Sequence, residues 1–260
     1  MMVNLRPFFS YYGGKYRIAP RYTPPQYGTI VEPFAGSAGY STRHPDHNVI
    51  LCDLDEKIVS TWQYLIAVSE TEIRSLPANV EHLDDHPDLT QEQQWLIGWW
   101  LNKGSSSPCR SMSAWGNSGV RPNCVWGAAV RDRIASQVCH IRHWKAIRCS
   151  YADIPDQDAT WFVDPPYQKM GKYYRHAAKN IDFGHLGEWC RSRSGHVIAC
   201  ENDGADWLPF RPFYNARSAT GVSVEVVREK GQSQIDLFCT TPPDPDTEPR
   251  PTPRATTSGG

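Results

Sequence analysis

Thr29-Ile30-Val31-Glu32-Pro33-Phe34-Ala35-Gly36-Ser37-Ala38-Gly39-Tyr40 runs from a β-branched stretch into a loop of small residues. A short apolar run bounded by Gly and Pro reads as a strand, and the loop after it opens a helix. The next stretch, Asn48-Val49-Ile50-Leu51-Cys52, reads as a second strand and ends in Asp53-Leu54-Asp55. An acid about 20 residues beyond a glycine loop is where ribose hydroxyls are held in dinucleotide-type folds. Small residues at the first turn allow close approach, and N–H groups at a helix start can meet a ligand carboxylate. Strand, glycine loop, helix, strand and acid together predict an α/β unit that binds a nucleotide-like cofactor.

Toward the N-terminus lies Pro7-Phe8-Phe9-Ser10-Tyr11-Tyr12-Gly13-Gly14-Lys15-Tyr16-Arg17. Aromatic rings lead straight into two glycines and a base. The rings can stack on a base, the glycines permit close backbone approach, and Lys15 can meet a carboxylate or phosphate. An ordinary aromatic-anchored surface turn fits the same residues.

Toward the C-terminus, Trp161-Phe162-Val163 reads as a buried strand and runs into Asp164-Pro165-Pro166-Tyr167. Each proline fixes φ and removes an N–H donor, and the residue before a proline is pushed out of the helical region. The loop is therefore stiff, with free carbonyls, an acceptor carboxylate and a flat ring. Those groups suit a planar substrate bearing an amino group. Ile147-Arg148-Cys149-Ser150-Tyr151-Ala152 is a further strand candidate, and Asp153 follows it.

Glu56-Lys57-Ile58-Val59 through Leu76 shows the three-and-four spacing of an amphipathic helix, broken near Ser69-Glu70-Thr71. Residues 81–92 carry acids and no Lys or Arg, the pattern of a solvated connector. Trp95 to Leu101 reads as a buried helix. From 101 to 150 eight Lys and Arg face Asp132 alone, a local charge of +7. The first half of that stretch is rich in Ser, Gly and Asn, with Trp115 and Trp126 interleaved, and Ala128–Lys145 reads as a basic helix. A basic, polar segment with aromatics resembles a nucleic-acid surface. Lys103, Arg110, Arg121, Asn123 and Arg131 are its candidate DNA contacts, joined by Lys169 and Lys172 beyond Tyr167. Residues 182–193 read as helix and His196 to Cys200 as strand. Val222–Arg228 and Ile235–Thr241 read as a closing antiparallel hairpin. From Pro242 the Pro- and Thr-rich chain is expected to be disordered.

The 260 residues suffice for one domain, or one with an insertion. A net charge of -1 gives no hint of a partner for the chain as a whole, so only the local +7 does. None of the eight Cys forms a CxxC pair, and no Cys/His set has zinc-finger spacing, so reduced thiols and no metal site are expected. Neither a signal-peptide pattern nor an apolar run near the ~18 residues of a membrane span is seen.

In this order the motifs resemble those of the S-adenosylmethionine-dependent DNA adenine-N6 methyltransferases. Tyr11-Tyr12-Gly13-Gly14-Lys15 is similar to their N-terminal cofactor motif, with Tyr11 in place of Trp. Glu32-Pro33-Phe34-Ala35-Gly36-Ser37 is similar to their methionine-binding loop. Asp53 matches the ribose acid, Asp153 the acid that meets the cofactor's adenine, and Asp164-Pro165-Pro166-Tyr167 the catalytic motif. The resemblance implies a Rossmann-like class I methyltransferase sheet, mostly parallel with an antiparallel hairpin at its C-terminal end. It implies a catalytic domain of residues 1–76 and 146–241, and a small, mostly helical DNA-recognition insert of residues 77–145. It also implies methyl transfer to N6 of an adenine flipped out of double-stranded DNA, by a cytoplasmic monomer of a prokaryote or of a phage-infected host, with room for a cognate restriction endonuclease. Cytosine N4, RNA or a protein amide as acceptor, and a non-catalytic DNA-binding module, are the alternatives.

Overall fold

The computed structural model describes residues 4–118, 122–168, 180–218 and 221–230. Arg121, Lys169, Lys172, the strand expected at 235–241 and the tail from 242 lie outside the described residues. Among the described residues, seven strands form one sheet: β1 (Thr29–Glu32), β2 (Asn48–Asp53), β3 (Lys145–Arg148), β4 (Ala159–Val163), β5 (Gly195–Asn202), β6 (Arg211–Ser218) and β7 (Gly221–Lys230). Their order is β3-β2-β1-β4-β5-β7-β6. The first five are parallel to one another, while β7 runs antiparallel to both β5 and β6. β4 is buried along its whole length and carries no polar alternation, as expected of a central parallel strand covered on both faces. This is the mostly parallel sheet with an antiparallel C-terminal end that the motifs implied.

The order places the sheet's reversal point between β1 and β4. Successive strands move outward from there, to β2 and β3 on one side and to β5 on the other. In open α/β sheets ligands bind outside the carboxyl ends of the strands at such a point. Glu32 ends β1, Asp53 ends β2, Asp164 follows β4, and Glu201 lies one residue from the end of β5. Four acids thus stand along the same edge of the sheet.

Among the described residues, six helices and several 3-10 turns surround the sheet. They are α1 (Glu56–Ala67), α2 (Glu70–Ser75), α3 (Gln91–Leu101), α4 (Ala114–Asn117), α5 (Ala128–Gln137) and α6 (Phe183–Ser192). The Asp55 side chain caps α1 by accepting from Lys57 N, and the Ser69 side chain caps α2 by accepting from Glu72 N. The break read near residue 69 is therefore a real boundary, set by a new N-cap. Thr90 and Gln93 form a reciprocal capping box on α3. No described helix is long and apolar enough to cross a membrane.

Two apolar layers flank the sheet. The larger joins Phe8, Phe9, Tyr40, Trp62 and Leu65 to Leu96, Trp99, Trp100, Trp126, Ile134 and Trp144. The smaller gathers Trp161, Leu186, Trp189 and Trp207 on the α6 side. Buried residues of the 77–145 segment share their core with the sheet. Trp99 Nε1 donates to Thr61 Oγ1 of α1 at 3.2 Å, and Trp100 Nε1 to Phe8 O at 3.0 Å. Gln137 exchanges hydrogen bonds with the backbone of Arg6 at 2.8 and 3.1 Å. Trp126, read as a surface aromatic, is 3% exposed and donates to Pro77 O.

Three local expectations change. The loop after β1 leads into a single 3-10 turn, Ser41–Arg43, and not a full helix. Gly36 and Ala38 both hold positive φ, 45° and 48°, which a regular helix excludes, and Pro45 and the start of β2 follow closely. The basic helix stops at Gln137, and a 3-10 turn then leads to β3, which begins at Lys145. Finally, β7 pairs with β6, where the sequence reading placed Ile235–Thr241. β6 contains Pro212 and lacks apolar alternation, so it does not read as a strand. It is an edge strand, where a missing N–H is tolerated.

Trp62 links the core to the site. Its indole N–H donates to Gly36 O at 2.9 Å, and its ring meets Phe8 and Phe9 at 5.6 and 5.2 Å. Trp62→Phe strands that carbonyl and shortens the side chain. Chemical denaturation should show a loss of about 1–3 kcal/mol; an unchanged midpoint would mean the contact carries no stability.

Candidate active site

A cavity opens where β1, β2 and β4 end. The Tyr11–Lys15 and Glu32–Ser37 stretches line it, with Asp53, Leu54 and Asp55 from the end of β2, Ser150 and Tyr151 beyond β3, Asp164 and Pro166 beyond β4, and Asn180 and Ile181. All the cofactor residues expected from sequence line the cavity except Asp153, which is exposed in a 3-10 turn outside it. The aromatic two residues earlier takes that place. Tyr151 packs on Phe34 with ring centroids 5.5 Å apart, and its hydroxyl meets His185 Nδ1 at 2.8 Å.

Gly13, Gly14, Gly36 and Gly39 line the cavity, and Gly36 and Gly39 also let the two loops meet. A Cβ on Gly36 would lie 3.1 Å from the Tyr11 ring, and one on Gly39 would lie 2.5 Å from Tyr16 N. Gly36 also holds φ at 45°, where side chains are disfavoured. Its N–H donates to Asp53 Oδ2 at 3.1 Å, while Asp53 Oδ1 accepts from Asp55 N at 2.9 Å. Asp53 thus ties the glycine loop to the end of β2. Tyr11 keeps its place edge-on to Trp99, at 5.5 Å.

Lys15 bridges the site. Its Nζ stands 2.8 Å from Asp164 Oδ1 and 2.9 Å from Oδ2, donates to Gly13 O at 3.1 Å, and lies 4.8 Å from the Tyr167 ring centroid. The sequence reading offered this lysine to a ligand; the fold pairs it with Asp164. Their side chains are 7% and 19% exposed, so the pair sits in a medium where ion pairing is strong but desolvation is costly. Burial raises the Asp164 carboxyl above its ordinary value, and Lys15 and Tyr167 oppose that rise. Glu32 is 2% exposed, and burial pushes it up to about 8, against the opposing pull of Ser41, whose N–H donates to Oε1 at 2.8 Å.

Tyr167 packs, half-buried, against the larger core layer. Gln168, next in the chain, donates its N–H to the buried carboxylate of Glu201. Glu201 received no role from sequence, because an acid at a strand end has no signature of its own.

The candidate DNA contacts are dispersed. Lys103 and Asn123 are exposed, and Lys103 Nζ lies 3.8 Å from Cys124 Sγ. Arg110 forms an exposed ion pair with Asp84. Arg131 reaches Asp132 and, at 3.1 Å, Leu76 O. Other bases behind the +7 count also bond to main-chain carbonyls of the fold, Arg142 and Arg148 while staying exposed. Arg133 donates to Pro7 O and lies over Trp100. Arg142 donates to Ile66 O and Val68 O at the end of α1, where cations are favoured. Arg148 binds Leu54 O and Glu56. Composition suggested one basic face, yet several of these charges cap carbonyls within the fold.

Comparison with known proteins gives one family match and a distant structural likeness. Residues 11–96 match the family model of the D12 class N6 adenine-specific DNA methyltransferases. That span holds the Tyr11–Lys15 loop, the Glu32–Ser37 loop and Asp53. Among solved structures, the rRNA methyltransferase aviRa from Streptomyces viridochromogenes is similar at 12% identity and a TM-score of 0.35, over 77% of this chain and 76% of that one. No curated protein sequence matches. The similarity to the D12 class N6 adenine-specific DNA methyltransferases lies in residues 11–96, about a third of the chain.

Proposed function

We propose that the chain transfers a methyl group from S-adenosylmethionine to N6 of an adenine flipped out of double-stranded DNA, with Asp164 as the acceptor for the target amine. The observation that carries this reading is the Lys15–Asp164 pair on the wall of the same cavity as Glu32 and Asp53. The lining suits the cofactor. Three acids, Asp53, Asp55 and Asp164, line the cavity with one described base, Lys15, an environment that favours a ligand carrying sulfonium and ammonium charges. Tyr11, Phe34, Tyr151 and Leu54 add apolar surface for an adenine ring. Bound there, S-adenosylmethionine supplies an electrophilic methyl group on a sulfonium centre.

The remaining work falls to the chain's own groups. An exocyclic amine is a poor nucleophile while its lone pair is delocalised into the ring. Asp164 and the Pro165 carbonyl accept its N–H bonds and so favour the pyramidal, more nucleophilic nitrogen. A carboxylate offers about four lone-pair sites. Lys15 meets one on each oxygen and leaves acceptor capacity for the amine. Charge-assisted bonds of this type are the strong ones, and holding the reactants in line supplies a further large share of the rate. Flipping the base out of the duplex costs a few kcal/mol, and stacking on Tyr167 returns about 1–3 kcal/mol. We assign target recognition to the 77–145 segment, with Lys103, Arg110 and Asn123 as its exposed polar contacts.

Tyr167→Ala tests the flipped-base role. Methyl transfer should fall by more than duplex-DNA binding, measured by fluorescence anisotropy at fixed salt. Equal losses in both would count against it.

A further inference from the structure

The Asp164–Tyr167 loop contains two prolines and so is short of N–H groups by which the fold can hold it. Gln168 restores such a group at the loop's end. Its main-chain N–H lies 3.3 and 3.1 Å from the two oxygens of Glu201. Glu201 is 0% exposed. Its Oε2 also accepts from the Trp207 indole at 3.0 Å, and its Oε1 from Asn202 N at 2.9 Å. Trp207 is fixed in turn by Phe183 and Phe210, with ring centroids 5.7 and 4.9 Å away. The Gln168 side chain reaches Asp206 Oδ1 at 3.2 Å. A buried carboxylate held by three N–H donors is costly to place, and its donors tie the exit of the Asp164–Tyr167 loop, through Gln168, to Asn202 at the end of β5 and to Trp207 beyond it.

We propose that Glu201 is a positioning residue, which fixes the end of the Asp164–Tyr167 loop against the β5–β6 connection and so sets the Tyr167 ring beside Lys15 at the cavity wall. The inference rests on the reading of that loop as catalytic. With its oxygens occupied by N–H donors, Glu201 acts through Gln168 and Tyr167, not on the substrate. Glutamine at this position has the same shape but one acceptor oxygen, and its NH2 must face a donor. With that oxygen kept toward Gln168 and Asn202, the amide collides with the Trp207 indole N–H.

The test uses the full chain, duplex DNA and S-adenosylmethionine. Glu201→Gln is expected to lower kcat for methyl transfer by about 10–100-fold, the scale of a small misplacement of reacting groups. The calorimetric Kd for S-adenosylmethionine should stay close to wild type, while the buried clash lowers the Tm and the double variant restores part of it. Glu201→Gln/Trp207→Phe removes the colliding donor and should recover part of the lost kcat. Wild-type kcat in Glu201→Gln would overturn the proposal, as would a loss shared equally by kcat, Kd and Tm without recovery in the double variant. Should Glu201→Gln fail to fold, Trp207→Phe alone carries the test. It should lower kcat at unchanged Kd, and an unchanged kcat would overturn the proposal. Asp164→Ala in the same assay separates the two readings. Full transfer in Asp164→Ala removes the catalytic loop itself, whereas its loss beside a normal Glu201→Gln removes only the role of Glu201.

Discussion

Asp164→Ala is expected to abolish methyl transfer while S-adenosylmethionine still binds. The carboxylate is the acceptor that draws the target amine toward pyramidal geometry, and removing one preorganised electrostatic partner costs on the order of 10²–10³-fold in kcat. The loss here should be greater, because the loop's other proposed acceptor, the Pro165 carbonyl, carries no charge. Cofactor affinity should survive, since Glu32, Asp53 and the Gly36 loop keep their mutual hydrogen bonds and packing. The substitution also leaves Lys15 buried without its acid, so Tm should fall too. Asp164→Asn, which keeps the shape, provides the control: it should bind the cofactor, fold better than Asp164→Ala and transfer as poorly. Full transfer by either variant would end the mechanism.

Lys15→Met should have the second largest effect, with a definite pH signature. In the wild type, burial raises Asp164 and Lys15 holds that rise in check. Without the ammonium the carboxyl moves further up and keeps its proton to a higher pH than in the wild type. Catalysis needs the carboxylate, so the acidic limb of kcat against pH shifts to higher pH, and activity lost at neutrality returns in part under alkaline conditions. Stability follows the same linkage. A group whose folded pKa is raised binds its proton more tightly in the fold, so the Asp164 contribution weakens as pH rises through the folded value. Lys15→Met should therefore lose more stability at pH 9 than at pH 6, approaching the roughly 3–5 kcal/mol of a broken buried pair. An unmoved acidic limb would show that Lys15 does not govern the ionisation of Asp164.

Much of the central sheet was legible because its chemistry is local. A buried parallel strand is a short apolar run, and each of β1, β2 and β4 exits into a distinctive loop: Glu32 to Gly39, Asp53 to Asp55, and Asp164 to Tyr167. The α1–α2 break was legible at Ser69 because capping depends on neighbours in sequence. What was hidden depends on partners far along the chain. Arg133, Arg142 and Arg148 read as a basic surface, yet their acceptors are the carbonyls of Pro7, Ile66, Val68 and Leu54. Trp126 read as an exposed ring and lies in the core. Gly36 and Gly39 read as room for a ligand, and they also make room for the neighbouring loop. β6 was missed because pairing with β7, not apolar pattern, makes it a strand. Glu201 was missed because its importance lies in the Gln168 and Trp207 N–H groups around it.

The atom that receives the methyl group defines the reaction. Purified full-length chain should be incubated with methyl-labelled S-adenosylmethionine and, separately, unmethylated duplex DNA and RNA, followed by digestion to nucleosides and chromatography. The account predicts label in N6-methyldeoxyadenosine from the DNA reaction and none from RNA, with the signal absent in Asp164→Ala. Label in N4-methyldeoxycytidine or in RNA nucleosides would contradict it.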